Sequence, residues 1–342
     1  MVNILTFCFA SGEELPRAAL EIIAAARRLI REVPGGRVQT LLIGPDVDVH
    51  VNTLIHRGAD QLFVASHGRL QAYHVTPILK VFERLVRQLS PAVILLPHDN
   101  LGSEVGPRLA YRLDADIVTD CLGFKIEGDA IYWLKPIYGG KAMATIVCSS
   151  LPQLATFRAR AFEPLPADEA RQGTVETIAL NLENPSSIAL VDTIRDQTEG
   201  ISLDQAQVVV AGGRGMGSAE GFGALAELAQ VLGAAVGGSR PAADLGWIPH
   251  SRLLGQTGKI VAPDLYIAVG ISGAPQHMAG AGASRTIVAI NKDPDAPIFQ
   301  VAHLGVVDEW QNIIPALTAA CRELSDEGRF HERPTTVGHH YE

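Results

Sequence analysis

At 342 residues, with 47% hydrophobic and 19% charged residues, the chain has the length of two domains and the composition of a globular protein with a large buried core. No apolar stretch approaches the roughly 20 residues a membrane helix needs, and a net charge of −9 without a lysine- or arginine-rich block argues against nucleic acid as the main partner. The four cysteines, Cys8, Cys121, Cys148 and Cys321, form no CxxC pair, which argues against an iron–sulfur cluster or structural zinc and fits a reducing cytoplasm.

The N-terminus MVNILTFCFASGEE lacks a basic stretch before its apolar run, so it reads as a first strand rather than a signal peptide. Strand patterns at 3–9, 38–43, 61–64 and 92–96 alternate with helical patterns at 15–33, 48–57 and 73–88. Such alternation predicts a mainly parallel sheet with helices on both faces. LLPHDN at 95–100 is a strand end leading into a helix at 103–113, the position where doubly wound sheets bind ligands. Residues 116–163 are β-rich and hairpin-like, and are expected to extend the sheet with antiparallel strands. Residues 168–199 read as one short strand and a linker.

A second, smaller doubly wound unit is expected from about residue 204. It comprises strands at 207–211 and 234–236, a helix at 219–232, and further strands at 265–269 and 286–290. The expected organisation is an N-terminal α/β domain over 1–195, a Rossmann-like domain over 204–328 and a flexible tail over 329–342. His339-His340 in that tail reads as a solvated pair rather than a metal site.

Most of the second half couples strand-like runs to glycine and small polar residues, a composition that lets backbone N–H groups approach phosphates and ring edges. In GGRGMGS (212–218), Gly215 permits close approach to a pyrophosphate and Arg214 offers a charge-assisted contact; the alternative is a tight turn with a solvent-facing arginine. Ser239-Arg240 follows a short strand. Its guanidinium either lies beside a redox ring or pairs with Asp244, and on this motif alone the pair with Asp244 is preferred. GQTGK places Gln256, Thr257 and Gly258 either at ring atoms or in a plain turn, with Lys259 facing solvent. In VGISGAPQH, Gly270, Ile271, Ser272 and Gly273 form a phosphate loop, and Gln276 and His277 open a helix. A histidine there can contact the pyrimidine end of a flavin, or be an ordinary satisfied histidine. Asn291 can bond ribose or adenine, while Asp293 caps the turn. Asp308 and Glu309 follow another strand and meet adenosine or form a solvated loop. Five such pieces in order point to one large redox cofactor, FAD, and to electron transfer.

The pieces GGRG, GxSR, GQTGK, PDLYIAVGISGAPQHMAG and TIVAINKDPDAPIF, in this order and spacing, resemble the FAD domain of the electron transfer flavoprotein α-subunit family over about 207–310. LLPHDNLGSEVGPRLAYRL, IVTDC, YGGKA and PQLATFR extend the resemblance more loosely to about 1–325. It implies a heterodimer with a β subunit and one FAD held mainly by the C-terminal domain. It implies electrons taken from flavoprotein dehydrogenases and passed to an acceptor oxidoreductase such as a quinone reductase. It further implies Arg240 beside the isoalloxazine, Thr257 near N5, and His277 near O2, helping to hold the anionic semiquinone. Gln256, Ser272, Gly273 and Gln276 line the ring, ribityl chain and pyrophosphate, and Arg214, Ser239, Asn291 and the Asp308/Glu309 region complete the dinucleotide site. The chain departs from the family's QVADYG at Gln300–Gly305, which leaves open which of Asp308 and Glu309 meets the adenosine.

These features describe an electron carrier rather than an enzyme with its own small substrate. One alternative is the α subunit of a complex that bifurcates electrons from NADH through a second FAD in the β subunit. An NAD-dependent oxidoreductase is weakened by the lack of an acidic residue about 20 positions past GGRGMGS. A nucleotide-binding regulatory role for the first domain is weakened because LLPHDN lacks a glycine-rich phosphate loop. A scaffold for the β subunit fits it better.

Overall fold

Strands covered on both faces read as continuous apolar runs. Four such runs open the chain: β1 (Ile4–Phe9), β2 (Val38–Gly44), β3 (Gln61–Ser66) and β4 (Val93–Pro97). The computed structural model, which describes residues 3–10, 15–32, 35–71, 75–140, 142–180, 201–203 and 206–326, pairs them in parallel. The connections are α1 (Arg17–Glu32), α2 (Val51–His56) and α3 (Val75–Leu89), and α4 (Asn100–Leu113) follows β4. Side chains alternate across β1. Ile4 and Cys8 join Ile22, Ile23 and Leu29 of α1 on one face, while Leu5 and Phe7 join Phe82 of α3 and Val105 and Leu109 of α4 on the other.

The expectation for 116–163 needs correction. β5 (Ile117–Cys121) belongs to the main sheet, but β6 (Gly123–Glu127), β7 (Ala130–Ile137) and β8 (Ala142–Val147) form a separate three-stranded antiparallel sheet. β9 (Gln153–Phe157) then returns to the main sheet and pairs in parallel with both β4 and β5. Aromatic packing explains the split. Phe124 of β6 and Trp133 of β7 meet Phe157 edge-on at ring-centroid distances of 6.5 and 6.0 Å, so the small sheet uses its apolar side to cover a face of the large one. Trp133 is fully buried, and its Nε1 donates to Gln153 Oε1 at 3.0 Å. β10 (Thr174–Thr177), the short strand expected in 168–199, pairs in parallel with β3. The large sheet therefore has the order β10-β3-β2-β1-β4-β9-β5. The linker expected after β10 falls mostly on residues 181–200, outside the described residues.

The polar residues of LLPHDN serve the first unit itself. Asp99 caps α4, accepting from the Gly102 N–H at 2.7 Å, so the helix starts three residues earlier than its apolar periodicity suggests. His98 Nδ1 lies 2.8 Å from Thr156 Oγ1, and Arg158 forms a two-pronged pair with Asp120 at 2.9 and 2.7 Å.

Contacts divide the chain into two compact units, Met1–Thr193 and Ile194–Glu342. The second contains β11 (Val208–Gly212), α5 (Ala219–Leu232), β12 (Ala235–Gly238), α6 (Arg240–Asp244), β13 (Leu265–Val269), α7 (Pro275–Ala281), β14 (Thr286–Asn291), β15 (Leu304–Val307) and α8 (Trp310–Asp326). Its five strands are parallel in the order β12-β11-β13-β14-β15. Val210, Ile267 and Ile290 pack with Phe222, Leu225 and Leu228 of α5 and Ile314 of α8. Val209, Tyr266, Ala268 and Ala289 pack with Leu254, Val261 and Ala281 of α7. Both units are thus doubly wound α/β folds with mainly parallel sheets.

All four cysteines are buried. Among the described residues no helix is long and apolar enough to cross a membrane, and no cluster of histidine, cysteine and carboxylate side chains is arranged to hold a metal. The tail at 329–342, with His339-His340, lies outside the described residues.

Candidate functional site

In a doubly wound sheet, consecutive strands leave from opposite sides of a switch point, and their carboxyl ends open a crevice there. In the second unit the switch falls between β11 and β13. Strand register aligns the carboxyl ends: Gly212 lies opposite both Gly238 and Val269, Val269 opposite Ile290, and Asn291 opposite Val307. The loops after all five strands therefore emerge on one edge. Arg214, Gly215, Ser239, Arg240, Gly270, Ile271, Ser272, Gly273, Asn291, Asp308 and Glu309 occupy these strand ends and loops.

The glycines at the switch point do more than the sequence suggests. Gly213 N–H donates to Val269 O at 2.8 Å and Gly215 N–H to Gly270 O at 3.0 Å, so the two loops are laced together. A Cβ built on Gly213 would lie 2.2 Å from the Gly270 carbonyl oxygen. This glycine is required by loop-on-loop contact, before any ligand is considered. Arg214 stands exposed on the short turn of Arg214–Met216.

The QTG loop is placed by two anchors. Leu254 N–H donates to Gly238 O at 2.9 Å, holding the loop against the end of β12, and Gln256 N–H donates to Gln276 O at 2.8 Å, holding it against α7. Gln256, Thr257 and Gly258 are exposed on this loop, which is anchored next to Ser239-Arg240 on one side and Gln276-His277 on the other. The structure thus joins through hydrogen bonds pieces that lie some 40 residues apart in sequence, from Ser239 to His277.

Two site residues are buried and incompletely satisfied. Ser239 is 7% exposed; its backbone N–H donates to Gly212 O at 3.0 Å, but its Oγ has no hydrogen-bond partner among the described residues. His277 is also 7% exposed. Its Nε2 lies 2.6 Å from the hydroxyl of Tyr266, whereas Nδ1 is buried with no hydrogen-bond partner among the described residues. Burial pushes the His277 pKa down to about 4, with the Leu254 backbone opposing this in part. The ring is therefore neutral near pH 7. Buried polar atoms are nearly always paired. Among the described residues of the second unit such orphaned side-chain atoms are Ser239 Oγ, Ser251 Oγ and His277 Nδ1. Two of the three belong to the site, as expected where a polar ligand completes the hydrogen bonding. The neighbouring glycine loops and exposed Arg214 and Arg240 fit an anionic dinucleotide.

Other expected residues are engaged within the chain. Arg240 Nε lies 3.4 Å from Asp244 Oδ2, both side chains being more than half exposed. Asn291 Nδ2 donates to Ile271 O at 2.9 Å, and its Oδ1 accepts from the Asp293 N–H at 3.0 Å, so this side chain ties the β13 and β14 loops together. Asp308 Oδ1 accepts from the Glu309 N–H at 2.6 Å and from Asn312 Nδ2 at 2.9 Å, at the start of α8. Glu309 pairs with Lys292 at 3.6 Å. Tyr266, absent from the expected site, is the residue that the sequence reading misses. Its signal is a hydroxyl in an otherwise apolar strand, LYIAV, which needs a buried partner.

Residues 4–183 match the model of the electron transfer flavoprotein domain, and residues 202–282 that of the electron transfer flavoprotein FAD-binding domain. The chain is 38% identical over 312 residues to the electron transfer flavoprotein subunit alpha of Bacillus subtilis, covering 91% of this chain and 95% of that one. It is 39% identical over 316 residues to protein FixB of Clostridium saccharobutylicum and, over the same length, to the electron transfer flavoprotein subunit alpha of Megasphaera elsdenii. Each of those alignments covers 91% of this chain and 93% of the relative. The chain belongs to the electron transfer flavoprotein α-subunit family, and its second unit carries that family's FAD-binding domain.

Proposed function

We propose that this chain is the α subunit of a heterodimeric, cytoplasmic electron transfer flavoprotein, and that its FAD lies along the carboxyl edge of the second unit's sheet. The observation that carries this is the convergence of five parallel strand ends on one edge with two buried, unpaired polar atoms, Ser239 Oγ and His277 Nδ1. FAD would supply one- and two-electron redox chemistry at its ring. The chain's own residues bind and tune it. Ser239 and the backbone around Gly215, Ser272 and Gly273 hold the dinucleotide, and the exposed guanidinium of Arg214 adds charge. Gln256, Thr257, Gly258, Gly270, Ile271 and Gln276 line the ring and ribityl chain. Arg240, exposed and in contact with Asp244, would lie at the ring edge, where a positive charge favours reduction. His277 donates from Nδ1 to a ring carbonyl. Asn291, Asp308 and Glu309 border the adenosine end, the first two shaping it through the bonds described above.

The electron source is proposed to be one or more flavoprotein dehydrogenases, and the sink an acceptor oxidoreductase such as a quinone reductase. The test is co-expression with a β-type partner, followed by flavin stoichiometry and visible spectra during stepwise reduction. One FAD per heterodimer, reduced by a dehydrogenase and not by NADH, is expected. Two FADs with direct reduction by NADH would replace simple carriage with bifurcation. A folded complex without flavin would overturn the assignment.

A further inference from the structure

We infer, on the flavin site assigned above, that Tyr266 is a positioning residue whose hydroxyl fixes the tautomer of His277, leaving Nδ1–H as the donor offered to a carbonyl oxygen of the bound ring. Tyr266 sits in the middle of β13, fully buried among Val209, Ala211, Ala268 and Ala289. Burial raises its pKa, so it stays a neutral phenol. A buried phenolic hydrogen needs an acceptor, and the hydroxyl's bond is to His277 Nε2 at 2.6 Å.

Two proton arrangements are open to this pair. If Nε2–H donates to the tyrosine oxygen, the phenol hydrogen has no acceptor and the Nδ1 lone pair has no donor. If the phenol donates to Nε2, both of those are relieved and a single group remains unmatched, Nδ1–H. Each buried unmatched group costs about 1–3 kcal/mol, so the second arrangement wins. The Leu254 backbone favours a proton on the ring without selecting between its two nitrogens, and Nδ1 has no hydrogen-bond partner among the described residues. His277 is thereby held as a neutral donor aimed by a residue that never touches the ligand. Its backbone is fixed as well, because the His277 N–H donates to Ala274 O at 2.9 Å.

The experiment uses the full chain with its β-type partner, labelled with 15N-histidine. Long-range proton–nitrogen spectra report the tautomer of each ring, and His277→Gln identifies the His277 signals. The wild type should show the Nδ1–H tautomer. Tyr266→Phe keeps the ring and removes only the hydroxyl. It should move His277 towards the Nε2–H form that an unconstrained histidine side chain prefers, and weaken FAD binding about 2- to 12-fold, the worth of one neutral hydrogen bond. A wild-type Nε2–H tautomer overturns the inference even if Tyr266→Phe fails to fold. An unchanged tautomer and FAD affinity in a folded Tyr266→Phe complex also overturns it while leaving the flavin site standing. A folded wild-type complex without flavin overturns the site and the inference with it.

Discussion

Ser239→Ala should change sign with the ligand. The Ser239 backbone is fully used, its N–H donating to Gly212 and its carbonyl accepting from Ala242 and Ala243 at 3.0 and 3.2 Å. The side chain caps nothing and its hydroxyl is buried without a partner. An unmatched buried hydroxyl costs about 1–3 kcal/mol, so its removal should stabilise the flavin-free complex by about 1 kcal/mol after allowing for the small void left behind. For a unit of this size that corresponds to a rise in Tm of about 2–4 °C. In the proposed site the same hydroxyl donates to the anionic FAD, a bond worth about 1.5–3 kcal/mol, so Ser239→Ala should weaken FAD binding about 10- to 150-fold. Thermal melts of flavin-stripped protein and titration by flavin fluorescence read the two effects separately. A lower Tm without flavin would mean that Oγ has a partner within the chain. An unchanged FAD dissociation constant would place the ligand away from Ser239. Either result refutes the reasoning.

Gly213→Ala should cost about 1–3 kcal/mol, because its Cβ must displace the Gly270 carbonyl, and should loosen FAD. Gly217→Ala meets no atom within 4 Å and carries only the strain of φ 83°, roughly 1 kcal/mol. Equal denaturation midpoints for the two variants would show that the β11 and β13 loops are not in contact. His277 has a folded pKa of about 4 against an ordinary value of 6.5. Its contribution is full above pH 6.5 and is lost as pH falls towards 4, amounting to about 2 kcal/mol by pH 5. His277→Gln should remove that part of the slope, and urea midpoints that fall equally in both proteins between pH 6.5 and 5 would contradict the burial of the ring. Asp244→Asn should leave stability within about 0.5 kcal/mol, since the pair with Arg240 is exposed. Arg240→Ala should lower the FAD midpoint potential, and a potential unmoved within error would separate Arg240 from the ring.

The large architecture is legible because the same physics writes it in both places. ILTFCF and VILLP are continuous apolar runs because helices cover both faces of β1 and β4, and a run of that kind needs no knowledge of its neighbours. The hairpin residues of 123–147 carry an equally clear local signal, yet nothing local says which sheet they join. The ring contacts of Phe124 and Trp133 with Phe157 decide that, and they are long-range. α8 has a readable spacing in Trp310, Ile313, Ile314, Leu317 and Cys321, but Pro315 interrupts it, and the sequence reading leaves 310–326 without an element.

At the site, the limit is of a different kind. Sequence can put Arg240, Asn291 and Asp308 at strand ends and His277 at the start of the helix that follows one, because glycine and small polar residues mark those ends. It cannot say which of their polar atoms are already spent. Asn291 uses both ends of its amide to join two loops, and Asp308 is committed to the start of α8. The two also lie beyond residue 282, where the FAD-binding domain match ends. Ser239 and His277 keep one buried atom each in reserve. Nearness to the edge is shared by all four, and the unspent hydrogen-bonding capacity is what separates a residue that builds the site from one that binds in it. Tyr266 follows from the same accounting: by satisfying Nε2 of His277, it determines that Nδ1 is the atom left to bind.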